Sequence, residues 1–169
     1  MNKNKIHTPI RWLIRRDMQE VLDIEAANFK SPWLEDDFVR CLRQRNFIGM
    51  VAEYNEKVIG FMIYELSKTR LHTLNFAVAP EYHRKGFGSH MVGKLKAKLS
   101  MQRRNRIILE VREKNLPAQL FFRENGFRAI STLKNFYEDT PEDAYLMQYS
   151  HKPEAEKHQP VNRISRLSN

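Results

Sequence analysis

"APEYHRKGFGSHMVGKL", residues 79–95, follows an apolar run and opens an amphipathic one. Two cations, Arg84 and Lys85, lead into Gly86, Phe87, Gly88 and Ser89. Upstream, "LHTLNFAVAP" has the apolar density of a strand and is stopped by Pro80. Downstream, Ser89 to Gln102 has helical periodicity, with Met91, Val92, Leu95 and Leu99 on one face. The unit is therefore strand, glycine turn, helix. A helix start leaves N–H groups unpaired and carries partial positive charge, and glycine lets an anion approach the backbone. A phosphate or diphosphate suits that geometry. The spacing is neither of the two common phosphate motifs: Ser89-His90 stands where a Walker loop needs Lys-Ser/Thr, and the third glycine of the dinucleotide fingerprint is missing. By itself the turn reads equally well as a plain glycine helix start with surface cations.

Working outward, "RIILEVR" supplies the next apolar strand (106–112), so strand, helix and strand predict a parallel crossover within a mixed sheet. "FIGMVAE" and "VIGFMIYEL" read as strands joined by a "YNEK" hairpin turn. Near the N-terminus, Asp17 and Glu20 suggest a capping box ahead of the stripe Met18, Val21, Leu22, Ala26 and Phe29. Ser31-Pro32 suggests a cap and first-turn proline for a second helix carrying Leu34, Phe38 and Cys41. Asn115 can cap a helix that tolerates Pro117 and stops at Gly126, and "FRAISTL" and "DAYLMQY" close the chain as strands. The expected class is α/β with a mixed, mostly antiparallel sheet flanked by helices. One domain spans residues 1–150, and the polar, proline-containing stretch 151–169 reads as a disordered basic tail.

With 169 residues, 41% hydrophobic, the chain can bury one core. Its formal charge of +9 suits nonspecific contact with nucleic acid, or simply solubility. Cys41 is the single cysteine, which excludes an intrachain disulfide or a cysteine-based metal site. No apolar run reaches the ~20 residues that span a bilayer, and "MNKNKIHTPI" lacks the apolar segment of a secretory signal. The expected setting is cytoplasmic, with no membrane and no metal.

Pro80 to Gly88 resembles the diphosphate-binding segment of the GCN5-related N-acetyltransferases, Q/R-x-x-G-x-G/A. The resemblance extends from Ile14 to Tyr149. "VLDIEAANFKSPW", "LNFAVAPEYHRKGFG", "LEVREKNLPAQLFFRENGF" and "NFYEDTPEDAYLMQY" look most like the bacterial ribosomal-protein-alanine N-acetyltransferases. It implies that fold, acetyl-CoA as co-substrate, and a protein N-terminus as acceptor, with ribosomal proteins among the candidates. It implies further that the amides of Arg84, Lys85, Gly86, Phe87, Gly88 and Ser89 hold the diphosphate, and that the backbone of Phe76, Ala77 and Val78 pairs with the pantetheine arm. Asn115 and Phe122 would lie beside that arm. Glu110 matches the general base, Tyr137 is a site residue serving as acid or cleft wall, and Pro32 and Trp33 in "FKSPW" wall the peptide slot.

Two positions depart from the pattern. His83 stands at its first place, and Phe122 replaces the tyrosine that protonates the leaving thiolate. An α-amine of pKa ~8 needs only a modest base, whereas a lysine amine at ~10.4 needs more help. General acid assistance is typically worth 10²–10⁴-fold, so Phe122 should slow the reaction without abolishing it. Glu110 could instead pair with Arg106 or Arg112. Two alternatives stay open: a lysine or small-amine acceptor on the same fold, and a catalytically weak member that binds RNA.

Overall fold

The computed structural model describes residues 8–152. The order is β1 (Ile10–Trp12), α1 (Met18–Asn28), α2 (Glu35–Leu42), β2 (Phe47–Tyr54), β3 (Lys57–Leu66), β4 (Arg70–Val78), α3 (Phe87–Lys96), β5 (Arg106–Arg112), α4 (Leu116–Glu124), β6 (Arg128–Leu133) and β7 (Ala144–Ser150). Among the described residues, seven strands form one sheet in the order β1-β2-β3-β4-β5-β7-β6. Its single parallel pair is β4 with β5, joined through α3 as the strand-helix-strand pattern predicts. The β2–β3 hairpin turns on Asn55 and Glu56, both left-handed at φ 50° and 62°, the backbone of a type I′ turn that matches the twist of the strands.

Each face of the sheet has its own core. On one, α3 and α4 bury Phe87, Met91, Leu95 and Phe122 against Met62, Leu71, Ile107 and Met147. On the other, α1 and α2 bury Val21, Ile24 and Phe38 against Val51, Phe61 and Ile63. Each fully buried side chain of this size contributes about 1.5–3 kcal/mol. Covering both faces explains why β3 is buried from Val58 through Tyr64 rather than alternating.

Several local expectations are corrected. Asp17 does not cap α1: its carboxylate receives the Ile14 amide at 2.8 Å and both guanidinium nitrogens of Arg11 at 2.7 and 2.8 Å. Glu20 accepts the Val58 amide at 3.0 Å instead of closing a capping box. Ser31 and Pro32 lie in the α1–α2 loop, because α2 starts three residues later, where Asp37 accepts the Leu34 amide at 2.8 Å. α3 stops at Lys96, since its last turn tightens to three-residue bonds, Lys98 N–H to Leu95 O and Leu99 N–H to Lys96 O. β1 had no signal in sequence; three residues of polar and apolar mix become a strand only because β2 offers an edge. Of the expected tail, residues 153–169 lie outside the described residues. No helix among the described residues is long and apolar enough to cross a membrane.

Candidate active site

The parallel pairing of β4 and β5 is short. It covers Arg70, Leu71 and His72 opposite Arg106, Ile107 and Ile108, although β4 continues to Val78 and β5 to Arg112. Beyond His72 the β5-facing edge of β4 has no strand partner among the described residues, while its other edge remains paired to β3 through Val78. An unpaired edge of this kind is a template for an extended ligand. Between the strands opens a cleft of about 640 Å³, lined by Thr73, Asn75 and Phe76 on β4 and by Glu110 and Arg112 on β5. Trp33 from the α1–α2 loop, Asn115 and Phe122 from α4, and Tyr137 from the β6–β7 loop complete it. Pro32 stands beside Trp33 in the loop without lining the cleft. The buried Thr73 hydroxyl faces no hydrogen-bond partner among the described residues, so this wall keeps a donor and acceptor in reserve.

At the far end of β4 lies the glycine turn. Arg84 and Gly86 are left-handed at φ 58° and 90°, and Gly86 sits at the N-cap of α3. Among the described residues, the first amide of this helix spent inside the protein is that of His90, on Gly86 O at 3.0 Å. The preceding amides, with exposed Arg84 and Lys85, suit a diphosphate. Gly88 has a further reason: a Cβ there would stand 2.9 Å from the Phe121 ring, so close packing of α3 on α4 requires it. His83 turns back, its Nε2 2.6 Å from Val78 O, which also receives Asn28 Nδ2 at 3.0 Å. The end of β4 is therefore held in place from two directions before the turn begins.

Glu110 pairs with neither Arg106 nor Arg112. His72 Nε2–H donates to its Oε2 at 2.7 Å, and both side chains are largely shielded. Arg112 instead binds both oxygens of Asp139 at 2.9 Å and Glu142 at 3.2 Å, and its guanidinium lies 3.7 Å from the centre of the Tyr137 ring. That network fastens the β6–β7 loop to β5 and seats Tyr137. Burial pushes the Tyr137 phenol up to about 12, so it keeps its proton at neutral pH. Phe122 is buried edge-to-face against Phe76, Phe121 and Phe127. Asn115 accepts the Ala118 amide at 3.2 Å as the cap of α4.

The sequence did not reveal the floor of the cleft. Glu25, 2% exposed, accepts the Trp33 amide at 2.9 Å and Asn75 Nδ2 at 2.9 Å, holding α1, the slot loop and β4 together. Burial, opposed by these two donors, raises its carboxyl above the ordinary range. The available signal was an acid inside the apolar stripe of α1. His72 and Thr73 gave none, because only the point where β4 parts from β5 sets one beside Glu110 and the other on the cleft wall.

Residues 13–127 match the family model described as Acetyltransferase (GNAT) family. The chain belongs to the GNAT acetyltransferase family. It is an acyltransferase with N-acetyltransferase activity as its class. This GNAT protein is 28% identical over 133 residues to the [ribosomal protein bS18]-alanine N-acetyltransferase of Escherichia coli K12, covering 78% of this chain and 89% of that one. It is 26% identical over 144 residues to the N-alpha-acetyltransferase of Sulfurisphaera tokodaii, covering 78% and 86%. Among solved structures, Ard1 from Thermoplasma volcanium superposes with a TM-score of 0.77 at 26% identity, over 88% of this chain and 100% of that chain. The GNAT assignment agrees with the fold and with the resemblance seen in the sequence.

Proposed function

We propose that this GNAT enzyme transfers the acetyl group of acetyl-CoA to the N-terminal α-amine of a protein, with ribosomal proteins among its acceptors. The observation that carries the reading is Glu110, held by His72 in the cleft that opens beyond their strands' last pairing. Acetyl-CoA supplies the activated thioester. The amides of Arg84 to Ser89 and the free edge of β4 at Phe76, Ala77 and Val78 suit its diphosphate and its arm, and the unsatisfied Thr73 hydroxyl suits a polar group beside them.

An α-amine of pKa ~8 is roughly one-tenth neutral at pH 7. The neutral amine attacks the thioester carbonyl. Glu110, directly or through one water, takes the one proton that the nitrogen sheds as its bond to carbon forms and the C–S bond breaks; the His72 N–H fixes which oxygen does so. Tyr137, kept protonated by burial, serves as proton donor to the leaving sulfur, a task Phe122 cannot perform. Glu25 holds Trp33, and the Arg112–Asp139 pair holds Tyr137, so the two loops that flank the slot are both fixed from beneath.

Support for a ribosomal acceptor comes from relatives such as the Escherichia coli enzyme, named for a ribosomal-protein alanine. The test is thiol release with acetyl-CoA and peptides beginning Ala, Ser or Met, each with a free or blocked N-terminus and an internal lysine. Release confined to free N-termini is expected. Equal release with blocked peptides would transfer the assignment to lysine, and no release with any peptide would overturn it.

A further inference from the structure

Four segments meet at the end of the sheet where β4 and β5 begin. The α2–β2 turn joins the end of β3 through Leu66 N–H to Asn46 O at 2.9 Å. The β3–β4 turn joins the α3–β5 loop through Asn105 N–H to Thr69 O at 3.2 Å and Arg104 Nε to Ser67 O at 3.1 Å. The chain leaving β7 joins the same loop through His151 N–H to Asn105 O at 2.7 Å. Together these segments carry Arg43, Arg45, Lys68, Arg70, Lys98, Arg103, Arg104, Arg106 and Lys152 against one carboxylate, Glu65. None of these cations forms an ion pair among the described residues. Most are exposed. Like charges gathered without counter-charges repel one another, so the arrangement costs stability unless an anion meets it.

The strip crosses five neighbouring strands, β2, β3, β4, β5 and β7, which at strand spacing makes about 19 Å. That exceeds any single phosphate group and matches a run of several. It also lies about 25 Å from the glycine turn, at the opposite end of the nine-residue β4, so it does not serve the cofactor. Six of the nine cations are arginine, the side chain suited to bidentate phosphate contact. No Phe, Tyr or Trp lies in residues 43–46, 66–70, 97–106 or 150–152, and the flanking Phe47 and Tyr149 are half-buried within strands, so the strip itself carries no exposed aromatic for stacking unpaired bases. A membrane surface would call for apolar side chains beside the cations, and the strip offers only Met101 as an exposed large one.

We infer that this end of the sheet is a docking surface for the phosphate backbone of a nucleic-acid duplex, separate from the acetyl-transfer cleft. It reads charge and shape, not base sequence. The surface stands on the cation cluster alone and does not depend on which amine the cleft accepts.

The test measures binding of a 20-base-pair RNA duplex by fluorescence anisotropy across a salt series, with DNA duplex and anionic phosphatidylserine vesicles in parallel. The full chain is compared with a fourfold variant, Arg43→Gln, Arg45→Gln, Lys68→Gln and Arg103→Gln. A second variant removes the same charge elsewhere: Arg15→Gln, Arg16→Gln, Lys57→Gln and Lys94→Gln. The first variant should bind duplex at least tenfold more weakly and flatten the salt slope by about 0.9 for each phosphate it no longer neutralises. The second should change binding less than threefold, and both should acetylate peptide at the original rate. RNA and DNA duplexes of unrelated sequence should bind within about tenfold of each other. Equal weakening in both variants, absence of duplex binding near physiological salt, or binding to vesicles alone would overturn the inference.

Discussion

His72 Nε2 lies 2.7 Å from Glu110 Oε2, linking β4 and β5 at the point where their backbones part. The contact occupies one of the two Glu110 carboxylate oxygens, and Glu110 itself lines the cleft.

Glu110→Gln should lower kcat by roughly 10²- to 10³-fold at neutral pH while KM for acetyl-CoA stays within about twofold. Steady-state kinetics separate the two constants, and a parallel loss in both would make Glu110 a structural residue. His72→Gln keeps an N–H donor and should retain more turnover than His72→Ala.

Tyr137 keeps its proton because burial lifts the phenol to about 12. A raised phenol remains a donor throughout the neutral and mildly alkaline range, so no activity is lost to its ionisation below about pH 10. Tyr137→Phe should cost roughly 10²- to 10⁴-fold in kcat without adding or removing an alkaline limb in that range. Adding Phe122→Tyr to that variant should recover part of the loss, since Phe122 lines the same cleft. No recovery would assign Tyr137 to the slot wall.

Gly88→Ala sets a methyl 2.9 Å from the ring of Phe121. Overpacking of this kind costs about 1–3 kcal/mol, visible as a lower urea midpoint. Phe121→Leu in the same chain should restore most of it, a coupling that a double-mutant cycle measures. Had the glycine been required only for anion approach, the second change would restore nothing.

Glu25 carries a carboxyl raised chiefly by burial. A raised carboxyl contributes its stability fully below its unfolded value and loses it as pH rises through the folded one. Relative to the original chain, Glu25→Gln should therefore gain stability on going from acid to neutral pH. Urea unfolding between about pH 4.5 and 8 checks the direction, and a gain in the opposite direction would mean that the donors from Trp33 and Asn75 outweigh burial.

Periodicity and turn chemistry were enough to determine the helices, the β2–β3 hairpin, the parallel crossover and the glycine turn. These are local choices, each specified by a few neighbouring residues. "LEV" marked Glu110 and "NFY" marked Tyr137 through resemblance, but their partners were beyond reach. Tertiary structure decided that Glu110 meets His72, that Arg112 is spent on Asp139 and Glu142, and that Glu25 underlies the slot. Apart from the bond between Glu25 and Trp33, these pairings join residues 27 to 50 positions apart. They depend on where β4 and β5 diverge and on how β7 inserts beside β5, and no local pattern encodes either.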